Sequence, residues 1–139
     1  MIRRVLALSA LLVLAACAAE DAHEIQKIDL AAVFADGRAA PVADVTSAGQ
    51  PDEAAFRAFA ESGVTTVIDL RMPGEDRGLD EPAVVAGLGM SYVALPTSGE
   101  EITFEQARRL DELIEAADGP VLVHCGSANR VGALVALSE

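Results

Sequence analysis

The run Val121-Leu122-Val123-His124-Cys125-Gly126-Ser127-Ala128-Asn129-Arg130-Val131-Gly132 constrains this chain more than any other stretch. A short apolar, β-rich segment passes through a His-Cys pair and four mostly small residues directly into an Ala/Leu/Val-rich helical segment. A strand that turns so tightly into a helix points backbone N–H groups inward, and the positive end of the helix dipole adds to them. Arg130 opens the helix with a planar fork of donors suited to phosphate, sulfate or an oxidised sulfur. That is the layout of an anion cradle. The same positive potential favours the thiolate of Cys125, since a helix N-terminus or a cationic neighbour lowers a cysteine pKa to roughly 3.5–7.5. Cys125 is therefore a candidate nucleophile. A cysteine at a strand end can also be plain packing, because cysteine is among the most buried residue types; the arginine and the Gly/Ser/Ala/Asn turn favour chemistry.

The segments before this run alternate between helical and strand patterns, which predicts an α/β fold of three layers, a mainly parallel sheet flanked by helices. Val42 to Thr46 reads as a first strand. Ser47-Ala48-Gly49-Gln50-Pro51 breaks it and starts a helix with Pro51 at its first position, Asp52 and Glu53 in the first turn and Gly63 as the stop. Val64 to Leu70 is a β-branched run suited to a buried strand. Arg71 to Gly78 is a charged loop with a Pro73-Gly74 turn, Leu79 to Leu88 a short helix with Gly89 after it, and Met90 to Leu95 the next strand. Thr103-Phe104-Glu105-Gln106 matches a capping box for a helix that ends at Gly119, and Pro120 to His124 delivers the cysteine. Ile25 to Phe34 fits neither period, and Ala35-Asp36-Gly37-Arg38 reads as a turn.

The N-terminus carries a different message. Arg3 and Arg4 precede an apolar run of about ten residues, too short to span a bilayer, for which about 20 are needed; residues 1–16 read as an export signal. Leu14-Ala15-Ala16-Cys17 resembles the lipobox of bacterial lipoproteins. That resemblance implies a mature chain starting at a lipidated Cys17, a tether over 17–27 and a domain over 28–139. With Ala18 next, it also implies a periplasm-facing protein on the outer membrane, anchored by its acyl chains. With Cys17 so committed, Cys125 has no disulfide partner within the chain. Losing Arg3 and Arg4 from the 10 basic residues leaves 8 against 22 acidic ones, a net −14. Such a body repels nucleic acid and anionic head groups as partners. His23 and His124 are the two histidines and form no metal-site constellation with the cysteines, and no nucleotide fingerprint is present, so no cofactor is expected.

Gly49-Gln50-Pro51, Val67-Ile68-Asp69-Leu70-Arg71 and Pro120 through Gly132, in this order, resemble bacterial phosphatase-like domains related to dual-specificity protein tyrosine phosphatases, including the beta-lactamase hydrolase-like proteins. The likeness runs from about Val45 to the end. It implies a cysteine phosphatase-like fold in which Cys125 attacks phosphorus and forms a thiophosphate, while Arg130 and the amides of Gly126, Ser127, Ala128 and Asn129 hold the oxygens. It implies that His124 tunes the thiolate and that a carboxylic acid from a nearby loop protonates the leaving group. Glu101 and Glu100, in the loop from Pro96 to Ile102, are the candidates, with Asp76 a third; all three can equally be ordinary loop or first-turn acids. Arg71 at a strand end either binds substrate or pairs with an acid.

Three features depart from the tyrosine phosphatase pattern. Four residues, not five, separate Cys125 from Arg130, which is also the spacing of the rhodanese cradle of sulfurtransferases. Ala128 stands where related domains often have glycine, and Val131 replaces the usual hydroxyl residue after the arginine. The alternatives are a sulfurtransferase carrying a persulfide on Cys125, or a non-catalytic envelope protein that binds an anion. The expected substrate is a small phosphorylated or sulfur-containing molecule, or a phosphoprotein.

Overall fold

The computed structural model describes residues 39–42 and 45–138. The expected signal, lipidation site, tether and Ala35–Arg38 turn lie outside the described residues. Among the described residues, nine helices and strands and one 3-10 turn follow in order: β1 (Ala39–Val42), β2 (Val45–Ala48), α1 (Glu53–Glu61), β3 (Thr66–Asp69), α2 (Glu81–Gly87), β4 (Ser91–Ala94), the turn Gly99–Glu101, α3 (Phe104–Glu115), β5 (Val121–His124) and α4 (Asn129–Ser138). The sheet order is β1-β2-β5-β3-β4. β1 runs antiparallel to β2, and the other four strands are parallel. The single strand read over Val42–Thr46 is instead the ends of two strands paired as Val42↔Val45, so the chain reverses within the stretch taken as extended.

Strands of four residues make few ladder bonds, so burial must hold them. Burying a Val, Leu, Ile or Phe side chain contributes about 1.5–3 kcal/mol, and period-2 alternation sends those side chains to two faces. Val67 and Leu122 face α1 and α2, where they meet Phe56, Phe59, Val85 and Met90. Ile68, Val121 and Val123 face α3 and α4, where they meet Ala107, Leu110, Val131 and Leu134. The result is the three-layer α/β sandwich that the alternating pattern predicts.

Helix ends follow local chemistry. α1 starts at Glu53, two residues after the start expected at Pro51: Asp52 lies outside the first turn as the N-cap, and its carboxylate accepts from Ala55 N–H at 2.8 Å, because an Asp side chain can satisfy a free helix amide and proline cannot. Gly63 (φ 98) and Gly89 (φ 79) follow α1 and α2 in the left-handed conformation that ends a helix. α3 stops at Glu115, and a turn carries the chain from Ala116 to Gly119. Thr103 caps α3 by accepting from Gln106 N–H at 3.2 Å, but the Gln106 side chain reaches across to Thr97 Oγ1 at 2.9 Å instead of closing the expected box. The complete capping box is one turn earlier, between Ser98 and Glu101.

Parallel pairing aligns Ala48, His124, Asp69 and Ala94 in one row at the C-terminal ends of their strands. Hydrogen bonding continues past that row through Cys125 N–H to Ala48 O, Leu70 N–H to His124 O and Leu95 N–H to Asp69 O. Open α/β sheets bind ligands at this edge, and every residue considered below lies on it.

Candidate active site

Cys125 is the first residue after β5, fully buried among the α3 and α4 side chains at the floor of the turn. Its amide is tied to Ala48 O at 3.2 Å, and Gln50 N–H donates to Gly126 O at the same distance. The Gly49-Gln50 segment thus clamps the cradle from the β2 side, and Gly49 pairs across with Ser127. A Cβ on Gly49 would stand 3.2 Å from Gly126 O, so the clamp depends on glycine there. Gly126 and Ser127 are exposed, Ala128 adopts φ 65, and α4 begins at Asn129. The first intrahelical bond of α4 runs from Gly132 N–H to Ala128 O at 2.9 Å, so the amides before it are those a helix leaves unpaired at its start.

Arg130 projects from the first turn of α4 and is gripped by Glu75. Nη1 donates to Oε1 at 2.6 Å and Nη2 to Oε2 at 2.8 Å, while Nη1 also reaches Thr97 O at 3.1 Å. These bonds, Glu75 foremost, keep Arg130 more firmly protonated than an ordinary arginine, and Cys125 adds to that. In return the Arg130 bond pulls Glu75 down to about 2, against an ordinary 4.5. Glu75 therefore stays ionised and holds the Nη1/Nη2 edge of the guanidinium. Nη2 would lie only 3.7 Å from a Cβ on Gly126, so the group stands directly over the turn.

The loop that presents Glu75 is built by its own sequence. Pro73-Gly74 makes a turn closed by Glu75 N–H to Met72 O at 3.0 Å, and the Glu75 carboxylate accepts from Met72 N–H at 2.8 Å. Arg77 staples the loop to the sheet: Nε donates to Asp69 Oδ2 at 2.7 Å, and the terminal nitrogens donate to Glu75 O at 3.0 Å and Arg71 O at 3.2 Å. Arg71 pairs with an acid: it is 8% exposed and donates to Glu75 Oε2 at 3.3 Å, to Gln50 Oε1 and to Asp76 O.

His124 points to the other face of the sheet from Cys125. Its ring meets Phe56 edge-on, with centroids 5.9 Å apart, and Nε2 lies 2.6 Å from Glu81 Oε1. Buried Nδ1 has no partner among the described residues. An unpaired lone pair costs less than an unpaired N–H, which assigns the proton to Nε2. Any influence of His124 on the thiol thus passes through the backbone and through Glu81. Asp69, Glu81 and His124 place ligand atoms within 4.8 Å of one another. Their oxygens are already satisfied by protein donors: Asp69 by Arg71 N–H, Arg77 and Tyr92, and Glu81 by His124 and Gln50. The trio is a hydrogen-bonded network in which the Arg77 guanidinium pairs with Asp69.

Glu101 is exposed and its carboxylate turns back onto Ser98 N–H at 2.9 Å, a bond that lowers its pKa. Glu100 is exposed beside it, and Asp76 folds onto Gly78 N–H at 2.8 Å. The structure therefore brings together Cys125, Arg130 and the turn residues 126–129, with Arg71 behind them, and leaves Glu101 at the rim. Sequence reasoning missed Glu75, Glu81 and Arg77. Glu75 and Glu81 find Arg130, His124 and Gln50 only across the fold, 31 to 55 positions away, whereas the partners of Arg77 lie within eight residues and a local reading of the charged loop could have found it; Gln50 was visible within its motif but not its role.

Comparison with known proteins agrees with this geometry. The family model described as "Beta-lactamase hydrolase-like protein, phosphatase-like domain" matches residues 39–139. A beta-lactamase hydrolase-like protein of Agrobacterium fabrum is 33% identical over 99 residues, 68% of this chain and 23% of the relative. The chain thus spans less than a quarter of that protein. Among solved structures, a DUF442 protein of Shewanella putrefaciens CN-32 superposes with a TM-score of 0.63 at 25% identity, over 71% of this chain and 68% of its own. P. aeruginosa TpbA, in complex with phosphotyrosine, superposes at 0.57 and 20% identity, over 70% and 65% of the two chains, which is a likeness of fold.

Proposed function

The chain belongs to the phosphatase-like domain family of the beta-lactamase hydrolase-like proteins, and from that premise we propose that it hydrolyses a phosphoester through a thiophosphate on Cys125. The observation that carries this is the placing of Cys125 beneath a turn whose arginine is fixed by a two-point pair with Glu75. Cys125 Sγ, as thiolate, attacks phosphorus while the P–O bond to the leaving group breaks, and the leaving oxygen takes a proton. Water then attacks phosphorus, the S–P bond breaks, and inorganic phosphate and the thiolate are released. Arg130 and the amides of residues 126–129 bind the non-bridging oxygens, where charge concentrates in both transition states. The proton comes from the Pro96–Ile102 loop, from Glu101 once it releases Ser98 N–H, or from Glu100. Glu75 is no candidate, because a carboxyl held at about 2 carries no proton at neutral pH.

The phosphotyrosine held by TpbA supports an aryl phosphate as the first substrate to try. The 139-residue chain should release nitrophenol from p-nitrophenyl phosphate, and Cys125→Ser should abolish it. Unchanged turnover in that variant, or none in the wild type, refutes the reading. The four-residue spacing favours a second reading, sulfur transfer through a Cys125 persulfide. After thiosulfate treatment, peptide mass spectrometry would find one added sulfur on Cys125 for a sulfurtransferase and none for a phosphatase. The lipobox-like Leu14–Cys17 supports an envelope location with a lipid anchor facing the periplasm; Cys17→Ser should move the protein from the membrane to the soluble fraction.

A further inference from the structure

Gln50 stands where two charge pairs meet. Its Oε1 accepts from Arg71 Nη1, and its Nε2 donates to Glu81 Oε2 at 2.8 Å. Arg71 continues to Glu75 and so to Arg130; Glu81 continues to His124, the residue before Cys125. The main chain of Gln50 joins the same circuit by donating to Gly126 O at 3.2 Å. One residue therefore touches the cradle directly and reaches both its thiol side and its guanidinium side.

An amide is required at this point. A guanidinium can only donate and a carboxylate can only accept, so the group between them must offer an acceptor on one side and a donor on the other. A carboxylate there would face Glu81 charge to charge, and an apolar side chain would leave a buried guanidinium N–H and a buried carboxylate oxygen unpaired. Asparagine is one methylene short. Without the amide as spacer, Arg71 would be drawn onto Glu81 and away from Glu75, loosening the hold on Arg130.

We propose that Gln50 is a positioning residue that locks the His124–Glu81 pair to the Arg71–Glu75 pair and so fixes Arg130 over Cys125. This rests on the phosphatase reading, and its test separates the two. Gln50→Leu, Gln50→Glu and the double exchange Gln50→Glu with Glu81→Gln are compared with wild type in the 139-residue chain. The measurements are tungstate affinity by calorimetry, kcat and KM on p-nitrophenyl phosphate, and the thermal midpoint. Displacing a site by about 1 Å can cost on the order of 100-fold in rate, so Gln50→Leu and Gln50→Glu should lose roughly 10- to 100-fold in kcat/KM and also lose tungstate affinity. The double exchange should regain most of both, because the new amide at position 81 donates to the new carboxylate at position 50 and still accepts from His124 Nε2–H. A role in stability alone would lower the thermal midpoint and leave tungstate affinity of the folded protein unchanged.

Wild-type tungstate affinity in folded Gln50→Leu overturns the proposal, as does a double exchange no better than Gln50→Glu. If the wild type binds tungstate but hydrolyses nothing, the phosphatase reading falls while the affinity series still decides the role of Gln50. If the wild type does not bind tungstate, both fall.

Discussion

Glu75 holds Arg130 by both terminal nitrogens, at 2.6 and 2.8 Å, across a sequence separation of 55 residues. The carboxylate takes the Nη1/Nη2 edge of the guanidinium, and Nη2 and Glu75 Oε2 would lie 3.7 and 3.9 Å from a Cβ on Gly126. A bidentate pair of this kind fixes a plane as well as a distance. Glu75 thus orients the arginine over the turn.

Glu75→Ala should therefore weaken tungstate binding and lower kcat/KM on p-nitrophenyl phosphate, by about tenfold or more if the guanidinium swings out of plane. Glu75→Gln, which retains one acceptor, should fall between. Tighter tungstate binding in Glu75→Ala would show instead that the carboxylate occupies the anion's place.

The same pair makes stability depend on pH. The folded-state pKa of Glu75 is depressed to about 2 from an ordinary 4.5, chiefly by the hydrogen bond from Arg130. Its contribution is complete above about 4.5 and is lost as pH falls toward 2. Thermal midpoints measured from pH 7 to pH 2 should show wild type above Glu75→Gln by a constant margin down to about pH 4.5, with the margin closing below that. A margin unaffected by acid would contradict the pairing.

Ala128 holds φ 65, a conformation costing roughly 1–2 kcal/mol for a residue with a Cβ. Glycine relieves that strain but gives back about 0.4–1 kcal/mol through the freer unfolded chain. Ala128→Gly should thus stabilise the protein by up to about 1 kcal/mol in urea denaturation, and Ala128→Val should destabilise it. Equal stabilities for all three would mean that the turn is not strained.

His124→Ala removes the partner of a buried carboxylate. Glu81 is fully buried, and stripping one member of a buried pair typically costs about 3–5 kcal/mol. His124→Ala should lose stability on that scale in urea denaturation, and adding Glu81→Leu should recover part of it by removing the stranded charge. If the second change makes matters worse, Glu81 is held by Gln50 alone.

Much of this site was legible before the fold was known, and for a local reason. The cradle residues 125–130 are contiguous, so a strand pattern, small residues and a helix pattern suffice to place them. The helix ends at Gly63 and Gly89 are legible likewise, since glycine adopts left-handed backbone freely, whereas the positive φ of Ala128 is not, because alanine disfavours it. The reversal between β1 and β2 was misread because two short paired strands and one longer strand share the same alternation. The helix expected to start at Pro51 starts two residues later, at Glu53, because the Asp52 side chain caps it.

By itself the sequence determined the three-layer architecture, the thiol, the arginine and the turn between them, because each is encoded in residues next to one another or in a repeating period. Only the tertiary structure decided what holds Arg130, which way His124 faces and why position 50 carries an amide. Those answers depend on parallel register bringing Ala48, His124 and Asp69 into one row, so that Gln50, Glu75 and Glu81, each from a different loop or helix end, meet around the same edge. Polar partners separated by 31, 43 and 55 positions leave no periodic trace in the chain; they find one another only after hydrophobic burial has aligned the strands.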